Sequence, residues 1–342
     1  LEFEGTPIYV RDCDPCWFVP NAAGDRLLQS IMAGADPNGD MAAARFLARL
    51  PAGDGADYPG RAALLGEPRL RELWLHLTDR CNMACKHCLF ASSPDSGAQL
   101  PTETALSRVR EALDLGCRVF ALTGGEPFLH PGFTEIVDTI LAAPDTQVVV
   151  LTNGTLLEKR IGALQRWGSE RFHVQVSIDG LPPRHDAVRG TGAFDALAIR
   201  LRVLREHAFP FTVSMCVDID NVADMPGLLE QAAELGASNV HFMWLFVRGR
   251  ALPDRFAPPD LIFTHLRKAA ATARRLDIEL DNLDAFKTQV FAPPGTIHDG
   301  STTAWEAAAL GPDDRLHPSA ALIGVPELAT AVPTSLREAW SE

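Results

Sequence analysis

The sequence predicts an α/β protein built on a parallel sheet. Between residue 70 and about residue 280, strand-like and helical patterns alternate along the chain. Such alternation implies parallel strands joined by right-handed crossovers. The chain has 342 residues, of which 46% are hydrophobic, so its length allows two or three domains with a buried core. In such a fold the carboxyl ends of the strands supply the binding site.

The first strand of this series is Glu72 to Thr78, where apolar and polar residues alternate. The later strands are shorter apolar runs, and amphipathic helices lie between them. In chain order the elements after the first strand are Glu103 to Leu115, Val119 to Leu122, Phe133 to Ala142, Val148 to Leu151, Leu156 to Trp167, Val174 to Ile178, Phe194 to Glu206, Phe211 to Val217, Pro226 to Leu235 and Val240 to Phe246.

Three cysteines follow the first strand: Cys81, Cys85 and Cys88. Their spacing lets one loop wrap around a compact centre, and thiolates favour zinc, copper(I) or iron–sulfur clusters. A structural zinc site needs a fourth ligand, usually in a second cysteine or histidine pair, and none of that spacing follows nearby. Three cysteines instead leave one iron of a [4Fe–4S] cluster open. The alternatives are three reduced core thiols or half of a zinc site.

The Cys-x3-Cys-x2-Cys loop resembles the signature of the radical S-adenosylmethionine (radical SAM) superfamily. The end of the second strand adds Gly124, Gly125, Glu126 and Pro127, which resemble the Gly-Gly-Glu-Pro motif of that family. The resemblance implies a partial (β/α)6 barrel, a [4Fe–4S] cluster on the three cysteines, SAM on the open iron, and Glu126 on the SAM ammonium group. The glycines would let the backbone approach a ligand closely, although a plain tight turn tolerates them equally.

Polar residues also end the third and fourth strands. Asn153 offers its amide to the pocket or caps the following helix. The segment from Ser177 to Gly190 resembles the Ser-x-Asp-Gly region of peptide-modifying members of the family. This likeness places Ser177 near the ribose or carboxylate of SAM, lets Arg189 pair that carboxylate, and leaves Asp179 facing the substrate.

Two further residues are candidate neighbours of adenine. Met243, on the sixth strand, either presses against adenine or packs in the core, and His87 either lies beside adenine or shields the cluster. Cys117 and Cys216 lie in strand contexts, where reduced core thiols are expected.

Residues 1–68 are expected to form a small leading domain and a linker. Two short strands, Pro7 to Val10 and Cys16 to Val19, suggest a hairpin, and helices follow at Ala22 to Met32 and Met41 to Leu50. This order resembles the winged-helix peptide-recognition element of peptide-modifying radical SAM enzymes; the alternative is an unrelated extension. Cys13 and Cys16 lie in the same region, and we expect them to be ordinary thiols rather than half of a metal site or a redox pair. The segment Gly53 to Gly60 is predicted to be a linker.

Residues 69–280 would then be the barrel, and residues 281–342 a tail that follows the outline of the SPASM or twitch extension. That module normally carries auxiliary clusters, but no cysteine follows Cys216, and Ser319 stands where the pattern places a cluster thiol. We therefore expect no auxiliary cluster. His298 and His317 are either metal ligands or ordinary loop histidines.

The formal net charge of −13 argues against nucleic acid as a partner, because phosphate binding needs clustered lysine and arginine. No apolar run is long enough to span a membrane, and the chain opens without the features of a signal peptide, so we expect no membrane partner and a cytoplasmic protein. Seven cysteines, three in one loop, suit a reducing compartment.

The resemblance implies an enzyme that reductively cleaves SAM to a 5′-deoxyadenosyl radical, with a reductant such as flavodoxin or ferredoxin. We expect a maturase that abstracts hydrogen from a ribosomally made precursor peptide, leading to a cross-link, an epimerisation or an oxidation. Modification of a tetrapyrrole or another small molecule is the first alternative, and a zinc-binding peptide chaperone is the second. The sequence identifies no catalytic acid or base.

Overall fold

The computed structural model of this chain describes residues 2–3, 5–10, 17–50, 67–283 and 302–341. The predictions for Cys13, Cys16, the Gly53 to Gly60 linker and His298 lie outside these residues. The described part of the chain divides into two compact units. One contains the described residues up to 50, and the other contains residues 67–283 and 302–341. The predicted limits of the three domains stay predictions.

The first unit consists of two small hairpins followed by two helices. Strands β1 to β4 and helices α1 and α2 span Glu2–Phe3, Thr6–Pro7, Tyr9–Val10, Trp17–Phe18, Ala22–Met32 and Met41–Leu47. Strand β3 pairs antiparallel with β4, which confirms the predicted hairpin. Each helix begins at a polar N-cap whose side chain accepts from the first turn, namely Asn21 for α1 and Asp40 for α2. The winged-helix likeness stays a prediction.

The second unit is built on a nine-stranded sheet. Its first six strands run parallel, in the order of the chain, which confirms the predicted α/β fold. They are β5 to β10, at Glu72–His76, Val119–Thr123, Gln147–Thr152, Phe172–Ser177, Phe211–Val217 and Asn239–Trp244. Strand β11, Glu279–Leu280, pairs parallel with β10 at one edge.

Helices connect these strands and bury their apolar faces against the sheet. They are α3 to α9, at Thr102–Asp114, Phe133–Ala142, Leu157–Trp167, Pro182–Arg189, Ala193–Glu206, Met225–Leu235 and Pro259–Leu276. Helices α3, α4, α5, α7 and α8 agree with the predicted elements to within one residue at each end, whereas α6 and α9 were not predicted. None of the helices in the described residues has the length and apolar character needed to cross a lipid bilayer.

The alternation along β5 separates core from site. Leu73 and Leu75 are fully buried and belong to the hydrophobic core, whereas Glu72 and Trp74 point to the opposite face and line a cavity. Successive side chains of a strand point to opposite faces, so each barrel strand contributes to both regions.

The tail adds two strands to the barrel sheet, which the sequence did not predict. Strand β12, Ala307–Leu310, pairs parallel with β5, and β13, Leu316–His317, pairs antiparallel with β12. A last helix, α10, covers Leu336–Ser341.

A buried arginine ties the tail to helix α3. Arg108 donates two hydrogen bonds to Asp314, at 2.9 and 2.8 Å, and others to the carbonyl oxygen of Pro333 and to Glu111. Only 8% of the Arg108 side chain is exposed. Such charge-assisted bonds are among the stronger ones in proteins, so this group fastens the tail to the barrel.

Candidate active site

A cavity of about 450 Å³ opens at the carboxyl ends of the barrel strands. Ten of the twelve site residues predicted from the sequence line it: Cys81, Cys85, His87, Cys88, Gly124, Gly125, Asn153, Ser177, Arg189 and Met243. Glu126 and Asp179, by contrast, are buried behind the cavity wall, at 0% and 1% exposure. Their predicted direct contacts with SAM and with substrate stay predictions.

The cysteine loop carries three free thiols that face this cavity. Cys81 is buried and the other two are half-buried. Burial raises the pKa of Cys81 to about 11, and burial likewise raises the pKa of Cys85. The thiols of Cys81 and Cys85 therefore stay protonated at neutral pH unless a bound metal displaces the proton.

The two glycines after β6 pack against the chain that leads into the cysteine loop. A Cβ atom on Gly124 would lie 2.4 Å from the carbonyl oxygen of Thr78, and one on Gly125 would lie 2.4 Å from that of Arg80. The turn is held there by hydrogen bonds from Gly125 N to Thr78 O and from Glu126 N to Arg80 O, at 2.6 and 3.0 Å. The glycines therefore allow two main-chain segments to pack closely, and they also line the cavity.

Glu126 connects the turn after β6 to the end of β7 at the base of the cavity. Its carboxylate accepts hydrogen bonds from the Thr152 hydroxyl, the Asn153 N–H and the Phe128 N–H, at 2.9, 2.9 and 3.2 Å. Burial raises the pKa of Glu126 to about 7, although these three donors favour the charged form. The carboxylate therefore ties the end of β7 to the Gly-Gly turn.

Asn153 extends this connection to the cysteine loop. Its amide nitrogen donates to the side-chain oxygen of Asn82 at 2.8 Å and lies 3.7 Å from the sulfur of Cys81. Its side-chain oxygen accepts from Thr155, which closes a local turn. Helix α5 has Leu156 at its N-cap, so the helix-capping alternative for Asn153 is wrong, and the amide faces the pocket.

Asp179 and Arg189 form a buried ion pair. The guanidinium Nε donates to the Asp179 carboxylate at 2.6 Å, and the side chains are 8% and 1% exposed for Arg189 and Asp179. Burial alone would raise the pKa of Asp179, but Arg189 and the neighbouring His87 and His185 outweigh burial and hold it at about 2. Arg189 lines the cavity with its remaining N–H groups available for a second anionic partner.

His87 completes this cluster. Its Nε2 lies 3.6 Å from the Asp179 carboxylate, and burial lowers the pKa of the imidazole, which favours the neutral ring. The position of His87 between Cys85 and Cys88 and beside the Asp179–Arg189 pair is compatible with both predicted roles, beside adenine or as a shield of the cluster.

Sequence reasoning missed several cavity residues. Glu72 and Trp74 face the cavity from β5, and Trp74 donates to the Glu72 carboxylate at 2.5 Å. The alternation of the first strand could have predicted them, because two non-aliphatic residues share its inner face.

Cys117 is fully buried as predicted, but Cys216 lines the cavity, so its assignment to the core is wrong. Ser319, from the tail, also lines the cavity.

The donor set fits an iron–sulfur cluster with SAM. Each cysteine of a [4Fe–4S] cluster binds a different iron atom, so its ligands need not converge on one point. Within the described ranges, no three His, Cys, Asp or Glu side chains converge on a single-ion site, and this includes the buried His317 on β13. The guanidinium of Arg189 and the polar wall formed by Asn153 and Ser177 suit a zwitterionic, ribose-bearing ligand.

Comparison with known proteins agrees with this interpretation. Residues 75–232 match the family model described as the radical SAM superfamily. Over 251 residues the chain is 28% identical to the antilisterial bacteriocin subtilosin biosynthesis protein AlbA of Bacillus subtilis, covering 71% of this chain and 53% of that protein. It is 36% identical over 203 residues to the AdoMet-dependent heme synthase of Methanosarcina barkeri, covering 58% and 57%. The chain thus spans about half the length of these relatives.

A solved structure shows the same fold. Streptococcus suis SuiB bound to precursor peptide SuiA superimposes with a TM-score of 0.68 at 13% identity, covering 95% of this chain and 79% of that one. The superfamily uses a [4Fe–4S] cluster and SAM, and the cavity described above presents three thiols and a polar wall. The radical SAM match and the enzymes among the similar proteins indicate an enzyme, against the alternative of a zinc-binding chaperone. Residues 75–232 of this chain are therefore a radical SAM domain.

Proposed function

We propose that this enzyme modifies a ribosomally made precursor peptide by abstracting a hydrogen atom from it. The observation that carries the proposal is the match to the subtilosin biosynthesis protein, which extends over 71% of this chain and so reaches beyond the segment shared by the whole superfamily. The fold likeness to SuiB, crystallised with its precursor peptide, covers 95% of the chain and supports the same reading.

When bound, the reduced cluster and SAM supply a 5′-deoxyadenosyl radical that takes a hydrogen atom from substrate. The protein's part is to orient and enclose. In this proposal Cys81, Cys85 and Cys88 hold the cluster, and Arg189, kept in place by Asp179, pairs the carboxylate of SAM.

The rest of the wall would position the nucleoside and the peptide. Ser177 would bind the ribose, Met243 would pack on adenine, and Gly124 and Gly125 would shape the floor. The apolar side chains of Trp244 and Phe246 also line the cavity and would exclude water around the reacting C–H bond. Glu126 would act on the SAM ammonium group through the charge it places behind this floor.

We propose a reducing compartment such as the cytoplasm, where flavodoxin or ferredoxin would supply electrons. The five cysteines of the described residues are free, as such a compartment requires.

The test is incubation of reconstituted enzyme with SAM, reductant and candidate precursor peptides, followed by mass spectrometry. A mass change in the peptide that depends on all components supports the proposal. Deleting residues 1–60 should weaken peptide binding while SAM cleavage without peptide continues, because the cysteine loop and cavity lie in the second unit. Unchanged peptide affinity would remove the support for a peptide-recognition role of the first unit.

A tetrapyrrole substrate is the second candidate, favoured by the 36% identity to the heme synthase, which exceeds the 28% identity to the subtilosin protein. The same incubation with tetrapyrroles in place of peptides separates the two. We expect a product from peptide only. A SAM-dependent mass loss in a tetrapyrrole, with every peptide unchanged, would reverse the order of the two candidates.

A further inference from the structure

The segment after β10, residues 246–251, crosses the cysteine loop and is bonded to it at three points. The main-chain N–H of Arg250 donates to the carbonyl oxygen of Cys88 at 3.0 Å. Its side chain reaches further, with Nε donating to the Cys85 carbonyl at 2.7 Å and Nη2 to the Ser92 carbonyl at 2.8 Å. One residue therefore satisfies the carbonyl groups of two of the three cysteines.

The preceding residue brings the two backbones into direct contact. Gly249 has a φ of +62°, and a Cβ atom there would lie 2.3 Å from the carbonyl oxygens of both Cys88 and Leu89. Because the obstructing atoms are main chain, a larger residue would have to push the segment away from the cysteine loop.

Within the described residues, the Arg250 guanidinium forms no ion pair with a carboxylate. Its side chain is half-buried, and in the described part of the chain no Asp or Glu oxygen lies within 4.0 Å of its guanidinium. All the acceptors of its side chain in this structure are neutral carbonyl groups of the cysteine loop. The neighbouring Arg248 points elsewhere, to the carbonyl oxygens of Ala321 and Ile323 in the tail.

We propose that Arg250 is a positioning residue for the [4Fe–4S] cluster. By holding the Cys85, Cys88 and Ser92 carbonyls, it fixes the loop that carries the ligands. Its unpaired positive charge, next to the cysteine ligands, favours the reduced cluster, which carries one more negative charge than the oxidised cluster. The inference uses the cluster of the superfamily and does not depend on which substrate is modified.

The test compares four reconstituted proteins under anaerobic conditions: the wild type, Arg250→Gln, Arg250→Lys and the matched control Arg248→Gln. The readouts are the rate of iron loss to a chelator and a redox titration followed by electron paramagnetic resonance. In Arg250→Gln we expect iron loss at least fivefold faster and, at the wild-type midpoint potential, a reduced-to-oxidised ratio about tenfold lower, equivalent to about 59 mV for one electron. Arg248→Gln should match the wild type in both readouts.

Arg250→Lys separates geometry from charge. An ammonium group keeps the charge but cannot form the fork that reaches two carbonyls, so we expect fast iron loss with a wild-type potential. Gly249→Ala, which keeps both arginines, should also lose iron quickly, and it carries the test if Arg250→Gln does not fold.

Wild-type iron retention in Arg250→Lys and Gly249→Ala would overturn the positioning role. A potential in Arg250→Gln equal to that of Arg248→Gln would overturn the charge effect. Neither readout includes a peptide, so failure to find a modified peptide would count against the proposed function and leave this inference standing.

Discussion

Replacing Asp179 by asparagine tests the buried ion pair at the cavity. The Asp179 carboxylate accepts from Arg189 Nε at 2.6 Å and from the Cys216 N–H at 3.2 Å, and it is 1% exposed. Asparagine keeps one acceptor but removes the charge, which leaves the guanidinium buried without its counter-ion. Breaking one side of such a pair typically costs about 3–5 kcal/mol.

The pKa gives a second measure of the same interaction. The pKa of Asp179 falls from 3.8 to about 2 in the folded protein, which corresponds to about 2 kcal/mol of stabilisation. Because the folded-state pKa lies below the unfolded value, this stabilisation is present in full above pH 3.8 and is lost only as the pH falls towards 2. At pH 7 we therefore expect Asp179→Asn to lower the free energy of unfolding by about 2–5 kcal/mol, the range that the two measures span.

The assay is anaerobic urea unfolding of the reconstituted protein at pH 7, followed by tryptophan fluorescence. Glu230→Gln is the control, because Glu230 pairs with Arg275 on the surface, where the side chains are 55% and 59% exposed. An exposed pair is worth less than about 1 kcal/mol. Equal decreases in the free energy of unfolding of the two variants would refute the reasoning, because the buried pair would then stabilise the protein no more than the exposed pair.

Three further predictions concern the turn after β6 and the tail. Gly125→Ala places a Cβ against the carbonyl of Arg80, so the iron bound per chain after reconstitution should fall by at least half; full iron would contradict the backbone fit. Arg108→Met should lower the free energy of unfolding by about 3 kcal/mol, measured by urea unfolding, because it leaves Asp314 without its partner. It should also speed proteolysis near Pro333, followed by mass spectrometry. An unchanged cleavage rate would show that Arg108 does not hold the tail on the barrel. Because the pKa of Glu126 is raised from 4.5 to about 7, the wild type should lose stability as the pH rises through this window. This loss should amount to about 3 kcal/mol and should be absent in Glu126→Gln. Stability curves of the same shape for the two proteins would contradict a raised pKa of Glu126.

The periodicity of the sequence was sufficient for the six parallel strands β5 to β10 and for five of the helices between them. Strand β9 was predicted at Phe211 to Val217 and helix α4 at Phe133 to Ala142, and both are found at those limits. These elements have strong local signals, namely apolar runs in buried parallel strands and a regular apolar face on each helix. The three cysteines and the Gly-Gly turn were found because their residue patterns resemble those of a known family and both follow predicted strands.

Other features depend on contacts between distant residues. The Ala307–Leu310 strand has almost no β-propensity, and only its pairing with β5 makes it a strand. Likewise, nothing local distinguishes Arg250 from Arg248, although one binds the cysteine loop and the other the tail. The positions of Glu126 and Asp179 in the sequence also could not show that their carboxylates accept hydrogen bonds from Asn153 and Arg189 and lie behind the cavity wall.

The pairing of β12 with β5 has a consequence for biosynthesis. Strand β5 carries the ligand loop at its end, yet one of its edges stays unpaired until the ribosome has delivered the Ala307–Leu310 segment. Open strand edges invite pairing with other chains. We therefore expect nascent or truncated chains that lack this segment to aggregate.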